Sequence, residues 1–92
     1  MPNPTITIAI RSKNLLSFSY DFSTRVVEPH AYGETDQENH LLRAYQRNGR
    51  PGWRLFREDE MHGIKIVPDT FPSIRPGYKR NDTAMERIFQ QL

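Results

Sequence analysis

The sequence predicts a mainly β (α+β) protein: a small five-stranded antiparallel barrel with a short N-terminal helix and a C-terminal helix. Three observations carry this. Short runs of alternating apolar residues recur between residues 16 and 69. Gly, Pro, Asn and Asp punctuate them at roughly 8–12-residue spacing, as in small all-β folds. Residues 82–92 instead carry apolar side chains at helical spacing. At 92 residues a single domain spanning 1–92 is expected, with one modest core. The barrel would take about 15–71, an extended arm 71–81 and the second helix 82–92.

Element by element, the first segment reads two ways. Ile6, Ile8 and Ile10 alternate like a strand, while Ile6, Ala9 and Ile10 fit one helical face. Its punctuation favours a short helix. Asn3 can cap, Pro4 suits the first helical position, and Asn14 can close the far end. Leu16, Phe18 and Tyr20 then share one face of a first strand. Asp21–Thr24 is a polar turn. Arg25-Val26-Val27 extends to Glu28-Pro29, where proline marks a strand end or edge.

Residues 33–39, "GETDQEN", read as an acidic loop. "HLLRAYQR" (40–47) and "GWRLFRE" (52–58) are the third and fourth strands, joined through the Asn-Gly turn of "NGRPG". "REDEMHG" breaks the alternation and suits a turn or short helix. "IKIVPD" (64–69) is the fifth strand. "FPSIRPGYKRND" holds two prolines and a glycine and predicts an extended arm. In "NDTAMERIFQQL", Asp82 can cap, and Met85, Ile88, Phe89 and Leu92 form one apolar stripe.

There are no cysteines, which excludes a disulfide framework and any Cys-ligated metal centre. The N-terminus has neither a basic leader nor a long apolar run, and no stretch approaches the roughly 20 apolar residues that span a bilayer. A soluble, cytoplasmic protein without membrane contact is expected. His30, His40 and His62 are scattered and show no metal-ligand spacing. The adjacent acids Glu58-Asp59-Glu60 suit a solvated turn. With no nucleophile elbow, Walker loop or Gly-rich dinucleotide motif, neither an enzyme nor a cofactor is expected.

Net charge is +2, but it is unevenly placed. Residues 43–57, "RAYQRNGRPGWRLFR", hold five arginines and no acid, whereas the other eight Lys/Arg stand against eleven Asp/Glu. Such a window attracts phosphate or carboxylate, or simply solvates an edge. Strand alternation divides it. Arg43, Tyr45 and Arg47 share one face, and Leu42 and Ala44 the other. On the next strand Trp53, Leu55 and Arg57 alternate with Arg54 and Phe56. Guanidiniums match phosphate and stack, and aromatic rings are platforms for bases. In the alternative, Trp53 and Phe56 are core and the arginines snorkel over it.

Taken in order, these pieces resemble the WYL domain, a small SH3/Sm-like β-barrel of bacterial transcription regulators and of proteins linked to phage defence. The resemblance covers roughly residues 6–71. "ITIAI" and "LLSFSYDF" resemble its opening helix and first strand. "RVVEP" (25–29) is similar to its R-x-V-x-P segment, "HLLRAY" (40–45) to its signature strand, and "RLFR" (54–57) to its R-x-F segment. "MHGIKIV" and Phe71 suit its closing strand. The Trp-Tyr-Leu signature falls on His40-Leu41-Leu42, so the contact of its Tyr does not carry over to Leu41. The usual N-terminal helix-turn-helix is also missing, so the chain resembles an isolated module.

The resemblance implies a regulatory, non-enzymatic module. It would bind a nucleotide or single-stranded nucleic acid. Arg25 and Arg54 carry over from the family's motifs, with Tyr45 as an adjacent aromatic. Together with Arg43 and Trp53 from the strand pattern, these are the expected ligand-binding residues. In the alternative, the arm and C-terminal helix pair two copies, or dock on a separate DNA-binding regulator.

Overall fold

The computed structural model describes residues 1–92. Helix α1 spans Pro4–Ser12. Asn3 caps it, its side chain accepting the Thr5 N–H at 2.9 Å, and Ile6, Ala9 and Ile10 are its buried face. That i, i+3, i+4 set decides the ambiguity of the segment for the helix. The cap at the far end is Lys13, in the left-handed region at φ 55°, and not Asn14. Asn14 opens β1 instead and donates its amide N–H to the carbonyls of Val67 and Pro68.

The strands are β1 (Asn14–Tyr20), β2 (Ser23–Glu34), β3 (His40–Gln46), β4 (Gly52–Arg57), β5 (His62–Thr70) and β6 (Arg87–Gln91). A 3-10 turn, Glu58–Glu60, links β4 to β5, as the break in alternation predicts. All pairings are antiparallel, in the order β4-β3-β2-β1-β5. The protein is mainly β, as expected, but the sheet has six strands and is open. The five-stranded closed barrel is therefore corrected. No helix is long and apolar enough to cross a membrane.

Two further corrections follow from β2. It does not end at Pro29 but runs on to Glu34. Its register shifts between Pro29 and Ala31, and a bulge is a place where a strand tolerates proline. The first half of β2 pairs with β1, up to Val27. The second half, from Ala31, pairs with β6.

Residues 82–92 are thus not a helix. Asp82 does make a local turn, accepting the Ala84 N–H on its side chain and the Met85 N–H on its carbonyl. The chain then leaves as a strand, with the Glu86 N–H on the Glu34 carbonyl and the Leu92 N–H on the His30 carbonyl. The apolar stripe has a different cause. Phe89 and Leu92 pack on one side of the sheet, Met85 and Ile88 on the other. A strand covered on both faces can present apolar residues at i, i+3, i+4 and i+7 as a helix does. Gly33 permits the close approach: a Cβ there would lie 2.3 Å from the Arg87 carbonyl oxygen.

The main core lies between α1 and the sheet. Ile6, Ala9, Ile10, Leu16, Phe18, Val27, Leu42, Ala44 and Phe56 are all buried in it. Phe18, Tyr20 and Phe56 meet edge to face, with Phe18 and Phe56 centroids 5.0 Å apart. The other face of the sheet is covered by residues 71–86, a strap containing the expected extended arm. Its small apolar cluster is Ala31, Leu41 and Met85, flanked by Tyr78 and Ile88.

Candidate ligand-binding cleft

The β3–β4 hairpin sets the site. Gly49, at φ 62°, supplies the left-handed turn residue, and the register pairs Tyr45 with Trp53, Ala44 with Arg54 and Arg43 with Leu55. Alternation then sorts the side chains. Ala44 and Phe56 belong to the α1-side core, so Arg54, opposite Ala44, lies on that side. Arg43, Tyr45 and Trp53 lie on the strap side.

The five expected binding residues therefore do not converge. Arg25 donates to the Gln46 side chain at 3.0 Å and to the Tyr20 carbonyl, with its guanidinium 5.6 Å from the Tyr20 ring centre. It pairs with core residue Phe18 in the β1–β2 register, which places it on the α1 side too. Arg54 donates to the carbonyls of Arg50 and Trp53 and clasps its own hairpin. Both arginines are occupied with the fold. Arg43, Tyr45 and Trp53 share the opposite face. The Tyr45 and Trp53 rings meet edge to face at 5.7 Å.

The strap completes that face with residues the sequence pattern did not single out. Glu28 is buried, and Arg75 of the strap grips it at two points, Nε–Oε1 at 3.1 Å and Nη2–Oε2 at 2.5 Å. Arg47 approaches the same carboxylate at 3.6 Å. The Arg75 guanidinium also lies 4.2 Å from the Tyr45 ring centre. His30 is fully buried. Its ring stacks on Phe71 at 5.3 Å and meets the Trp53 ring at 4.8 Å and the Tyr78 ring at 5.0 Å. Burial pushes its imidazole below the ordinary 6.5. Glu28 opposes this and Arg75 reinforces it.

Beside this packed cluster the strap turns away and leaves a cleft of about 470 Å³. Arg43 and Trp53 line it from the sheet. Tyr78, Lys79, Arg80 and Asp82 line it from the strap. That volume falls in the range of small-molecule sites. Trp53 and Tyr78 stack at 6.0 Å and 24°, and the Trp53 indole N–H donates to the Pro76 carbonyl. Gly77, at φ 93°, lets the backbone pass: a Cβ there would lie 2.9 Å from the indole nitrogen.

Arg43 donates to Asp82 at 2.6 Å. Burial pushes the Asp82 carboxyl up, but the hydrogen bonds from Arg43 and the Ala84 N–H outweigh it and hold the group below its usual range. Arg80 donates to the Leu92 carbonyl at 3.0 Å. Three cations, one of them paired with the Asp82 carboxylate, thus line the cleft beside an aromatic pair. The sequence did offer a signal, the run Gly77-Tyr78-Lys79-Arg80. It was legible as an arm, because nothing local says what an arm folds against.

No family model, curated protein or solved structure matches this chain.

A second polar group sits on the α1 side. Tyr32 donates to Glu58, which also takes the Nδ1 side of His40 at 3.1 Å, and the His40 Nε2 lies 3.6 Å from Glu34. The Asn3 N–H closes on the Tyr32 hydroxyl at 2.8 Å. Burial pushes the Tyr32 phenol far above its ordinary value. These groups tie the α1 entry, β2, β3 and the 3-10 turn together. Every buried side-chain polar atom in the chain has a hydrogen-bond partner.

Proposed function

We propose that this protein is a regulatory, non-enzymatic binding module for a phosphate-bearing ligand, a nucleotide or single-stranded nucleic acid. Its site is the cleft between the β3–β4 hairpin and the strap. The observation that carries the proposal is the meeting of Arg43, Lys79 and Arg80 with the Trp53 and Tyr78 rings around one cleft. Guanidinium and ammonium groups neutralise phosphate, and the rings offer a stacking surface for a base. The WYL-like resemblance contributes the class of ligand. The contact residues differ from those it implied, because Arg25 and Arg54 lie on the α1 side of the sheet, away from the cleft.

The alternative of an interaction module is weaker on the same observations. The arm packs on its own sheet, and the last strand completes it. A regulatory role in the cytoplasm belongs to the proposal as well.

Titration with single-stranded oligonucleotides and with a nucleotide tests it. Trp53, the sole tryptophan, reports occupancy of the cleft by fluorescence. Affinity should fall as salt rises, because binding releases counterions. Absence of binding by every ligand at about 50 mM salt, where such contacts are strong, overturns the proposal.

A further inference from the structure

Beside the Glu28–Arg75, Trp53–Pro76 and Arg43–Asp82 bonds, the strap that walls the cleft is fastened to the sheet through a histidine. His30 Nδ1 lies 2.9 Å from the Glu28 carbonyl oxygen, and Nε2 lies 3.1 Å from the Arg75 backbone nitrogen. A carbonyl accepts and an N–H donates. This fixes the tautomer: Nδ1 carries the proton and Nε2 is a bare acceptor. The ring is therefore neutral. The strap also rests on it by stacking, through Phe71, and the Tyr78 hydroxyl reaches the His30 carbonyl at 3.4 Å. Residue 30 thus holds the strap at Phe71, Arg75 and Tyr78, just ahead of the cleft residues Lys79 and Arg80.

The charges around the ring make its protonation disruptive. From β2 comes Glu28. From the strap come Arg75 and the Tyr78 phenol. From the end of β3 comes Arg47, on the Glu28 carboxylate. β4 contributes the uncharged Trp53, and the end of β6 the Leu92 N–H. One buried carboxylate already faces two guanidiniums. A proton on Nε2 would remove the acceptor of the Arg75 N–H and point an N–H at an N–H. It would also add a third cation to the cluster.

We infer that His30 is a pH-sensitive latch: its protonation releases the first part of the strap, residues 71–80, from the sheet and dismantles the cleft, so that ligand binding is lost on mild acidification. Binding at that cleft rests on the function proposed above, but release of the strap does not. The burial that depresses the imidazole pKa agrees with a latch that stays closed at neutral pH.

Trp53 reads the latch without any ligand, since its indole bonds to Pro76 of the strap and its ring touches His30. The experiment follows Trp53 emission and far-ultraviolet circular dichroism of the ligand-free protein from about pH 8 to about pH 5, the window in which histidine changes charge. The latch predicts a red shift of emission, with the sheet signal retained. In His30→Gln, which stays neutral, the transition should disappear. A flat wild-type titration overturns the latch, and so does an unchanged transition in His30→Gln. Oligonucleotide titration at the two ends of the window separates the two ideas. Binding at pH 8 alone supports both, and equal binding at both ends sinks the latch. Absence of binding at pH 8 sinks the proposed function, while the emission change still decides the latch.

Discussion

The Glu28 carboxylate is clasped at two points by the Arg75 guanidinium, across 47 residues of sequence. It is one of the bonds between the sheet and the strap, with those of His30 to the Arg75 N–H, Trp53 to Pro76 and Arg43 to Asp82. Glu28 is 3% exposed and Arg75 36% exposed, so the pair joins a buried anion to a cation that still reaches water. Without Arg75, the carboxylate stays buried with Arg47 alone at 3.6 Å. Arg75→Ala should therefore cost stability. We expect about 2 kcal/mol in urea unfolding, less than for a fully buried pair because solvent screens the exposed partner. A loss indistinguishable from zero would mean that the rings and the bonds of His30, Trp53 and Arg43 hold the strap without the clasp.

The C-terminal strand has its own test. A Cβ on Gly33 would strike the Arg87 carbonyl oxygen, which is backbone and cannot swing aside. Gly33→Ala should destabilise the protein by roughly 1–3 kcal/mol, the usual cost of overpacking. Amide exchange of Ile88 and Leu92 should quicken with it. If residues 87–91 were helical instead, Gly33→Ala would leave their exchange unchanged.

How far the sequence reached can be read from these two cases. The helix was legible because Asn3 and Pro4 are local signals, and the hairpin because Asn-Gly dictates a local turn. Alternation also placed Arg43 and Tyr45 on one face of β3, opposite Leu42 and Ala44; that Trp53 joins them needed the register. What failed was non-local. Pro29 read as a stop because the bulge beside it belongs to the pairing with β3, which nothing local to Pro29 announces. Ile88 and Phe89 read as a helix face because apolar cover on both sides of a strand imitates helical spacing. Arg54 and Arg43 looked like one basic surface, although an odd separation across paired strands sends them to opposite faces. The Glu28–Arg75 clasp had no signal at all, since a lone acid among β-strand residues does not announce a partner 47 positions away.

Stability should fall on mild acidification. Burial lowers the folded-state pKa of His30 below the 6.5 of an exposed imidazole. The unfolded chain then binds the proton more readily, so the contribution of neutral His30 is full above about pH 6.5 and is lost as pH drops below it. The urea midpoint should be lower at about pH 5.5 than at about pH 7.5, and the gap should narrow in His30→Gln. An equal gap in both proteins would assign the effect to other groups.

The α1-side core gives a control for every binding variant. Phe56 is buried against Phe18 and Tyr20. Phe56→Leu should lower thermal stability while leaving ligand affinity at a permissive temperature unchanged, because its side chain is remote in face from the cleft. Reduced affinity in the folded variant would mean that the two faces are coupled.

Oligonucleotide affinity of three variants compared at one salt concentration tests the central claim most directly. Lys79→Ala and Arg80→Ala each remove a cation from the cleft, and each should weaken binding by about tenfold, the loss of roughly one phosphate contact. Arg54→Ala removes a cation of the same basic stretch that clasps the hairpin on the other face, and it should leave affinity within about twofold of the parent once folding is verified. If Arg54→Ala weakens binding and the two strap variants do not, the ligand sits elsewhere and the cleft is not the site.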